Sequence, residues 1–223
     1  MGDIVVFGAG GRAGRAVTAE ARARGHRVTA VVRNPAKYAA LAVDDGVRWV
    51  RGDVTEAATM AGLVRGHDAV VHAVSPFSGP EQGFAGLDPL FYVEAADALL
   101  EGLAEAGVAR LLVVGLFANL EGPDGRLVLD DPAAFPPEIR PFALAHTAGL
   151  DRLRARGGAV DWLMLTPPAL LEADGVRTGR YRIGGDRVPE SPSARLSYAD
   201  LAVALIDEYE EPTLHRKRVS VFN

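Results

Sequence analysis

Short apolar runs alternate with longer amphipathic stretches along most of the chain. The runs are rich in valine and leucine, which is typical of strands buried on both faces of a parallel sheet. Strands are predicted at residues 4–7, 27–32, 47–50, 68–73, 111–114 and 162–165. Helices are predicted at residues 12–24, 35–42, 55–65, 89–107 and 137–156, the fourth with Asp88 as its N-cap. The alternation predicts a doubly wound, mostly parallel α/β sheet of the Rossmann type, with helices on both faces.

The last quarter of the chain has a different pattern. Residues 177–183 alternate like an exposed strand, and residues 184–186 are predicted to form a turn. Ser197 is a good N-cap for a helix over residues 198–210, and residues 218–222 are predicted to form a final strand. We expect residues from about 170 to 223 to form a small region on the substrate side of one domain that spans residues 1–223.

A glycine-rich turn follows the first predicted strand directly and opens the first predicted helix. Such a turn directs unpaired backbone N–H groups and the positive end of the helix dipole at one spot, which suits a pyrophosphate. Glycines leave room for the turn, for the anion and for close packing of helix on strand. The predicted cofactor-binding residues of this turn are Gly8, Gly10, Gly11, Arg12, Ala13 and Gly14. Because the strand and the helix that the motif needs are both present, the sequence predicts a dinucleotide site.

The end of the second strand discriminates between NAD and NADP. An acidic residue there binds the ribose hydroxyls of NAD and repels a 2′-phosphate. This chain has Arg33 instead, with Lys37 four residues later and Arg12 at the mouth of the glycine turn. A guanidinium group suits a phosphate, so NADP is the expected cofactor and NAD is less favoured. Alternatively, Arg33 is an ordinary surface residue of this loop.

Four further strand ends are expected to line the same cleft, because ligands bind at the carboxyl ends of strands in open α/β sheets. Asp53 is placed to accept a hydrogen bond from the adenine amine while Val54 packs on the ring, although Asp53 could equally cap the next helix. Segments beside the central ribose and around the nicotinamide complete the predicted cofactor site: Ala73, Val74, Ser75, Gly115, Pro167 and Pro168.

Composition and charge narrow the possible partners. The 223 residues carry a net charge of −5, which argues against nucleic acid as the main partner. There is no cysteine, so disulfides, thiol catalysis and Cys-ligated metals are excluded, and no His, Asp and Glu spacing resembles a metal site. No apolar run is long enough to span a membrane. We expect a cytoplasmic protein without nucleic-acid or membrane partners, either a monomer or a weak homodimer.

Motifs spread from residue 4 to residue 208 carry a family resemblance. They are VVFGAGGRAG, VTAVVRNPAK, VRGDV, RLLVVG, DWLMLTPPALLE, TGRYRIGGD and LSYADLAVALIDE. The chain resembles the atypical branch of the short-chain dehydrogenase/reductase superfamily. Within it, the chain is similar to the NADH–flavin reductase group, with relatives such as flavin/biliverdin-IXβ reductase and the NmrA-like proteins. The resemblance implies an NAD(P)H-dependent oxidoreductase, and the last two motifs are the most specific to the flavin-reductase group.

The usual catalytic residues of that superfamily are missing. Most members have a Tyr-x-x-x-Lys pair on the helix before the sixth strand and a Ser after the fifth strand. The nearest matches here are Phe142, His146 and Gly115, and no tyrosine lies between Tyr92 and Tyr181. Reduction of a ketone needs a placed acid, whereas a flavin, quinone or azo compound takes hydride into a delocalised system and can take its proton from solvent.

We therefore expect an NADPH-dependent reductase of a planar acceptor, without a catalytic acid, base or nucleophile from this chain. FMN or FAD is expected as a substrate rather than as a prosthetic group. A non-catalytic NADP-binding regulator of the NmrA-like kind is the alternative, because it would also lack the catalytic pair. An epimerase or dehydratase is disfavoured by the absence of that pair.

Aromatic residues near the fourth strand could stack on the acceptor or could belong to the core. They are Phe77, Phe84, Phe91 and Tyr92, with Phe117 and Phe142 as further candidates. Residues 115–137 form a long irregular stretch that could be a lid. His146 is the histidine placed nearest to the expected chemistry, with a solvated helix face as the alternative, and His72 is expected in the core as a satisfied histidine.

Overall fold

The computed structural model describes residues 1–41, 46–76, 86–191 and 193–223, and these residues form a central eight-stranded sheet. The strands are β1 (Asp3–Phe7), β2 (Arg27–Val32), β3 (Val47–Arg51), β4 (Ala69–His72), β5 (Arg110–Val114), β6 (Asp161–Thr166), β7 (Leu170–Glu172), β8 (Arg182–Ile183), β9 (Arg195–Ser197) and β10 (Lys217–Phe222). The sheet order is β3-β2-β1-β4-β5-β6-β10-β8, and β7 pairs separately with β9. Within the large sheet, only β8 is antiparallel to its neighbour.

Helices cover both faces of this sheet. They are α1 (Arg12–Ala23), α2 (Ala57–Val64), α3 (Phe91–Ala106), α4 (Arg140–Arg156) and α5 (Tyr198–Glu210). Helices α1 and α5 pack together over one face, while α2, α3 and α4 pack over the other. Because side chains alternate along a strand, Val5 and Phe7 enter the core on the α2–α4 side, and Ile4 and Val6 enter the core on the α1–α5 side. None of the helices in the described ranges is both long and apolar enough to cross a bilayer. The structure confirms the doubly wound α/β fold predicted from the alternation.

Helix ends follow the capping signals in part. Ser197 Oγ accepts a hydrogen bond from the Asp200 N–H at 2.9 Å, so it caps α5 as predicted. Asp88 is not the N-cap of α3, which begins at Phe91; its carboxylate accepts instead from the Leu90 N–H at 2.8 Å. The helix predicted over residues 35–42 is a 3-10 helix over Pro35–Leu41, and the helix predicted over residues 137–156 begins with a 3-10 turn at Pro137–Ile139, before α4.

The C-terminal region is more irregular than its alternating pattern predicts. Only β8 forms within the predicted strand over residues 177–183, because Asp200 Oδ1 accepts hydrogen bonds from the Thr178 and Gly179 N–H groups at 2.9 and 2.8 Å. Thr178 Oγ1 also donates to Asp200 Oδ2 at 2.7 Å. Asp200 belongs to the motif over residues 196–208, and Thr178 and Gly179 belong to the motif over residues 178–186. The two motifs most specific to the flavin-reductase group therefore hold each other in place.

Residues 115–137 pack on the body of the fold. Ala118 and Leu129 are buried and form a small apolar cluster with Ala143 of α4. Arg218 of β10, whose side chain is also buried, donates a hydrogen bond to the Asn119 carbonyl. This packing argues against the lid that the sequence left open.

Candidate functional site

The strand ends that carry the predicted site meet at one edge of the sheet. Phe7, at the end of β1, is in register with Val31 of β2 and with His72 of β4. Just beyond this level, the Gly8 N–H donates to the Val31 carbonyl at 3.1 Å, and the Ala73 N–H donates to the Phe7 carbonyl at 3.0 Å. The glycine turn therefore lies between the segments that follow β2 and β4, as a dinucleotide site requires.

Close backbone contacts require two glycines of this turn. Gly8 has a φ of 79°, and a Cβ there would lie 2.6 Å from the Ala73 carbonyl oxygen. A Cβ at Gly14, in the first turn of α1, would lie 2.1 Å from the Gly8 carbonyl oxygen. Gly11 is the N-cap of α1 and provides no side-chain cap, so the first N–H groups of the helix remain available to an anion. This geometry suits a pyrophosphate.

Tyr38 covers another glycine of the turn. Its hydroxyl oxygen lies 2.1 Å from where a Cβ on Gly10 would be, and its ring stacks on Trp49 of β3 with the centroids 4.9 Å apart. The guanidinium carbon of Arg15, on the exposed side of α1, lies 5.8 Å from the centroid of the Tyr38 ring. Sequence reasoning missed both residues as site residues. The signal for Arg15 was its position one helical turn after Arg12.

The three cations predicted to contact a 2′-phosphate are exposed at this edge. Within the described ranges, the side chains of Arg12, Arg33 and Lys37 have neither an ion-pair partner nor a hydrogen-bond partner. Arg33 follows the last residue of β2 directly, so it leaves the sheet beside the glycine turn. No acidic residue lies between Arg33 and Lys37 to neutralise them. Together these charges make the edge attractive to an anion.

The adenine end of the site differs from the sequence-based expectation. Asp53 Oδ1 accepts hydrogen bonds from the Thr55 N–H at 3.1 Å and from the Thr55 hydroxyl at 2.9 Å, while Glu56 is the N-cap of α2. Asp53 therefore forms a side-chain turn rather than the helix cap, and its second oxygen faces no partner in the described residues. The prediction that the Val54 side chain packs on the adenine is wrong, because that side chain is 2% exposed and fills the core.

At the strand ends predicted to surround the nicotinamide, Gly115 is required by the close approach of β5 and β6. Its N–H donates to the Leu165 carbonyl at 2.8 Å, and a Cβ would lie 2.1 Å from Thr166 Oγ1 and 2.9 Å from Thr166 Cβ. The serine expected at this position therefore has no room. Thr166 is fully buried, and its hydroxyl has no hydrogen-bond partner among the described residues. Pro167 and Pro168 are also buried, so this segment forms a closed wall.

Tyr92, Phe142 and His146 form a buried cluster beside that wall, which we call the aromatic layer. The centroid of the Tyr92 ring lies 4.4 Å from that of His146 and 6.0 Å from that of Phe142. Leu116, directly after Gly115, packs against the same group. Phe142 and His146, the α4 residues nearest to the usual Tyr-x-x-x-Lys positions, are thus covered by Tyr92 of α3.

Burial divides the aromatics that were candidates for stacking on an acceptor. Tyr92 and Phe142 belong to the core. Phe91 and Phe117 are half-buried. Phe77 and Phe84 lie outside the described residues. A cavity of about 20 Å³ lies against His72, Tyr92 and His146. It is large enough for one water molecule but not for an aromatic ring, so any acceptor must bind outside the aromatic layer.

His146 and His72 are both buried and uncharged at neutral pH. His146 Nδ1 lies 3.2 Å from Asn119 Nδ2, and the ring also hydrogen-bonds the Val114 carbonyl. Burial lowers the pKa of His146 to about 4 and that of His72 to about 3. The solvated helix face considered for His146 is therefore wrong, because this residue connects α4 to the end of β5. His72 lies in the core as expected, but its Nδ1 has no partner among the described residues, so it is not a satisfied histidine.

A sequence model of NAD(P)H-binding proteins matches residues 8–212 of the chain. The chain belongs to this NAD(P)H-binding family. The uncharacterised protein YwnB of Bacillus subtilis is 35% identical to it over 221 residues, which cover 98% of this chain and 97% of YwnB.

Two solved structures are similar to this NAD(P)H-binding protein over nearly its whole length. The putative NADH-flavin reductase SP1627 of Streptococcus pneumoniae is 29% identical and superposes with a TM-score of 0.83 over 100% of both chains. A putative epimerase of Bacteroides thetaiotaomicron is 30% identical, with a TM-score of 0.84 over 99% of this chain and 96% of its own.

The residues of this NAD(P)H-binding protein fit a dinucleotide. The space that a Cβ would fill at Gly8 and Gly14 is taken by backbone, which keeps the turn tight enough for helix N–H groups to reach a phosphate. The exposed cations Arg12 and Arg33 lie at the same edge. Gly115, Pro167 and Pro168 follow β5 and β6 as buried residues.

Proposed function

We propose that this NAD(P)H-binding protein is an NADPH-dependent reductase that transfers a hydride to a planar acceptor, such as a flavin or a quinone. The proposal rests on one observation: the residues at the positions of the usual proton donors cannot donate a proton. Phe142 has no acidic proton, and His146 is buried, with its pKa lowered by that burial. Gly115 has no side chain and no room for one.

Such a site suits an acceptor that needs no acid from the protein. A reduced nicotinamide would supply the hydride when bound, and the chain would have to hold the cofactor and the acceptor at transfer distance. A flavin or quinone spreads the added charge over its rings, so water can deliver the proton. The half-buried Phe91 and Leu116 beside the aromatic layer offer apolar contacts of the kind that a flat ring prefers. The similarity to SP1627 supports the same class of acceptor.

The preference for NADPH rests on the charge of the adenosine end. Arg12, Arg33 and Lys37 are exposed there without a counter-charge among the described residues, and the acid that would select NAD is absent. A 2′-phosphate would receive charge-assisted hydrogen bonds from these groups, whereas the 2′-hydroxyl of NADH would leave them unpaired.

The reductase is tested by mixing the purified protein with NADPH and FMN, FAD or menadione, and following the loss of reduced-nicotinamide absorbance. Turnover of at least one planar acceptor is expected, with none of a simple ketone such as cyclohexanone. Tight NADPH binding with no turnover of any planar acceptor would refute the reductase and favour an NADP-binding regulator.

The cofactor preference is tested by Arg33→Ala. This variant should weaken NADPH binding by about tenfold and leave NADH binding unchanged, because only the 2′-phosphate loses a partner. Arg65→Ala is the matched control, since Arg65 is also an exposed arginine but lies at the end of α2, paired with Glu105 at 3.5 Å. Equal effects of Arg33→Ala on both nucleotides would refute the assignment to NADPH.

A further inference from the structure

Tyr92 is the residue of the aromatic layer whose polar group contacts the segment after β4. It is the second residue of α3, and its side chain is 6% exposed. Its hydroxyl hydrogen-bonds the side chain of Ser75, which is exposed three residues beyond the end of β4. The Ala73 N–H continues the pairing of β4 with β1, so Ser75 follows the strand end that faces the glycine turn. The buried Tyr92 ring thus places its hydroxyl beside the exposed Ser75, at the carboxyl edge of the sheet.

The surroundings of Tyr92 hold its ring in one place. A Cβ on Gly149 of α4 would lie 2.6 Å from Tyr92 Cβ, so the two helices meet closely at this point. His146 and Phe142 contact one side of the ring, and Phe91 lies edge-on with the centroids 5.1 Å apart. The hydroxyl position is therefore preorganised before any ligand binds.

The hydroxyl is also kept protonated. Burial raises the pKa of Tyr92 above its usual value of 10, and the hydrogen bond from Ser75 only partly offsets this rise. Neither histidine nearby can change this at neutral pH, because burial keeps His72 and His146 uncharged. A neutral phenol of this kind donates a hydrogen bond but is a poor proton donor. Its chemistry fits a ligand hydroxyl better than it fits a catalytic acid.

From this placement we infer that Tyr92 and Ser75 form a hydroxyl pair that binds the nicotinamide-side ribose of the dinucleotide. The inference rests on the dinucleotide-binding part of the proposed function. A ribose offers two adjacent hydroxyls, each both donor and acceptor, which match the two protein hydroxyls. The position matches as well, because the segment after β4 lies between the glycine turn, where the pyrophosphate binds, and the Gly115 end of the cleft. In this arrangement the tyrosine that binds the ribose lies on α3, whereas the Tyr-x-x-x-Lys pair was sought on α4.

The test compares two ligands that differ at this ribose. NADPH contains the nicotinamide ribose, whereas 2′,5′-ADP contains the adenosine end alone. Dissociation constants for both are measured by calorimetry on the wild type, Tyr92→Phe and Ser75→Ala. Tyr92→Phe keeps the ring and its packing and removes only the hydroxyl. Tyr209→Phe is the control, because the Tyr209 hydroxyl lies 3.4 Å from Asp68, at the opposite edge of the sheet.

We expect Tyr92→Phe to raise the dissociation constant of NADPH by about tenfold and that of 2′,5′-ADP by less than about twofold. Ser75→Ala, at an exposed position, should shift the NADPH constant in the same direction and covers the case in which Tyr92→Phe fails to fold. An unchanged NADPH constant in both variants would overturn the inference. An equal loss of affinity for NADPH and for 2′,5′-ADP would also overturn it. A loss of acceptor turnover with the dissociation constants of both ligands unchanged would do the same. If the wild type binds neither ligand, it is the proposed NADPH dependence that fails.

Discussion

The glycine turn offers a prediction in which two similar substitutions differ in their effect on stability. Gly14→Ala adds a Cβ 2.1 Å from the Gly8 carbonyl oxygen and 2.7 Å from Ala9 Cα. Gly10→Ala adds a Cβ 2.1 Å from the hydroxyl oxygen of Tyr38. The distances are equal, but the first neighbour is backbone and the second is the end of a side chain. Only the second can move away by a rotation.

The magnitudes follow from that difference. At Gly14 the turn and the helix must separate by about 1 Å, and overpacking of this kind costs about 3 kcal/mol. Alanine is favoured over glycine inside a helix by about 1 kcal/mol, so the net loss of unfolding free energy is about 2 kcal/mol. At Gly10 the loss of the Tyr38–Trp49 stack costs about 1 kcal/mol. Alanine has less conformational entropy than glycine in the unfolded state, which stabilises the fold by about the same amount, so the net change is close to zero.

Urea unfolding without nucleotide, followed by calorimetry with NADPH, measures both effects. Gly14→Ala should be about 2 kcal/mol less stable and should bind NADPH at least about tenfold more weakly, because α1 is lifted from the phosphate position. Gly10→Ala should be as stable as the wild type within about 0.5 kcal/mol. If the two variants lost equal stability, or if Gly14→Ala bound NADPH as the wild type does, the steric argument for the turn would be refuted.

Three further outcomes are expected. The free energy of unfolding should fall by roughly 2 kcal/mol per histidine between about pH 6.5 and about pH 5, because His72 and His146 take up protons only when unfolded; urea unfolding across this range measures the slope. Asp200→Ala should cost about 2–3 kcal/mol, because it removes a buried carboxylate that accepts hydrogen bonds from the Thr178 and Gly179 N–H groups, and hydrogen exchange should show faster exchange of both N–H groups. Gly115→Ser should cost about 1–3 kcal/mol through its clash with Thr166 and should not produce ketone reduction.

Each of these outcomes has a control elsewhere in the chain. The control for the acid slope is His215→Gln, which removes a histidine that is 53% exposed and lies 2.9 Å from Asp161; the slope assigned to His72 and His146 should persist in this variant. Asp174→Asn alters an exposed aspartate and should leave stability unchanged, while Gly185→Ser adds a side chain where no atom lies within 4 Å. A flat stability profile above pH 5, slow exchange in Asp200→Ala, or a Gly115→Ser variant as stable as Gly185→Ser would each contradict the structural explanation.

Periodicity predicted the parts of the fold that depend on burial. The strand over residues 27–32 and the helix over residues 198–210 have the predicted bounds, because each has a clear apolar pattern and the helix has a capping serine. The alternation over residues 177–183 was misleading, because it comes from an irregular segment held by the Asp200 carboxylate. A contact between residues more than twenty positions apart leaves no local signal in the sequence.

The candidate site was predictable where it depends on backbone placement. The glycine turn and the strand ends follow from motif and order, so their convergence could be expected. The directions of individual side chains could not be predicted from the sequence. Val54 turns into the core, Tyr38 reaches back over Gly10, and Tyr92 covers the α4 residues where the catalytic pair was sought. Each of these placements depends on packing between elements that are distant in the chain.

The contact between Gly115 and Thr166 has a consequence for the substitutions that these two positions tolerate. A serine at position 115 meets both Thr166 Oγ1 and Thr166 Cβ, so a single substitution that restores it is disfavoured. A smaller residue at position 166 would remove the clash, but on its own it would remove a buried side chain. The effects of substitutions at these two positions are therefore not additive. A serine at the end of β5 is compatible with this packing only if position 166 changes as well.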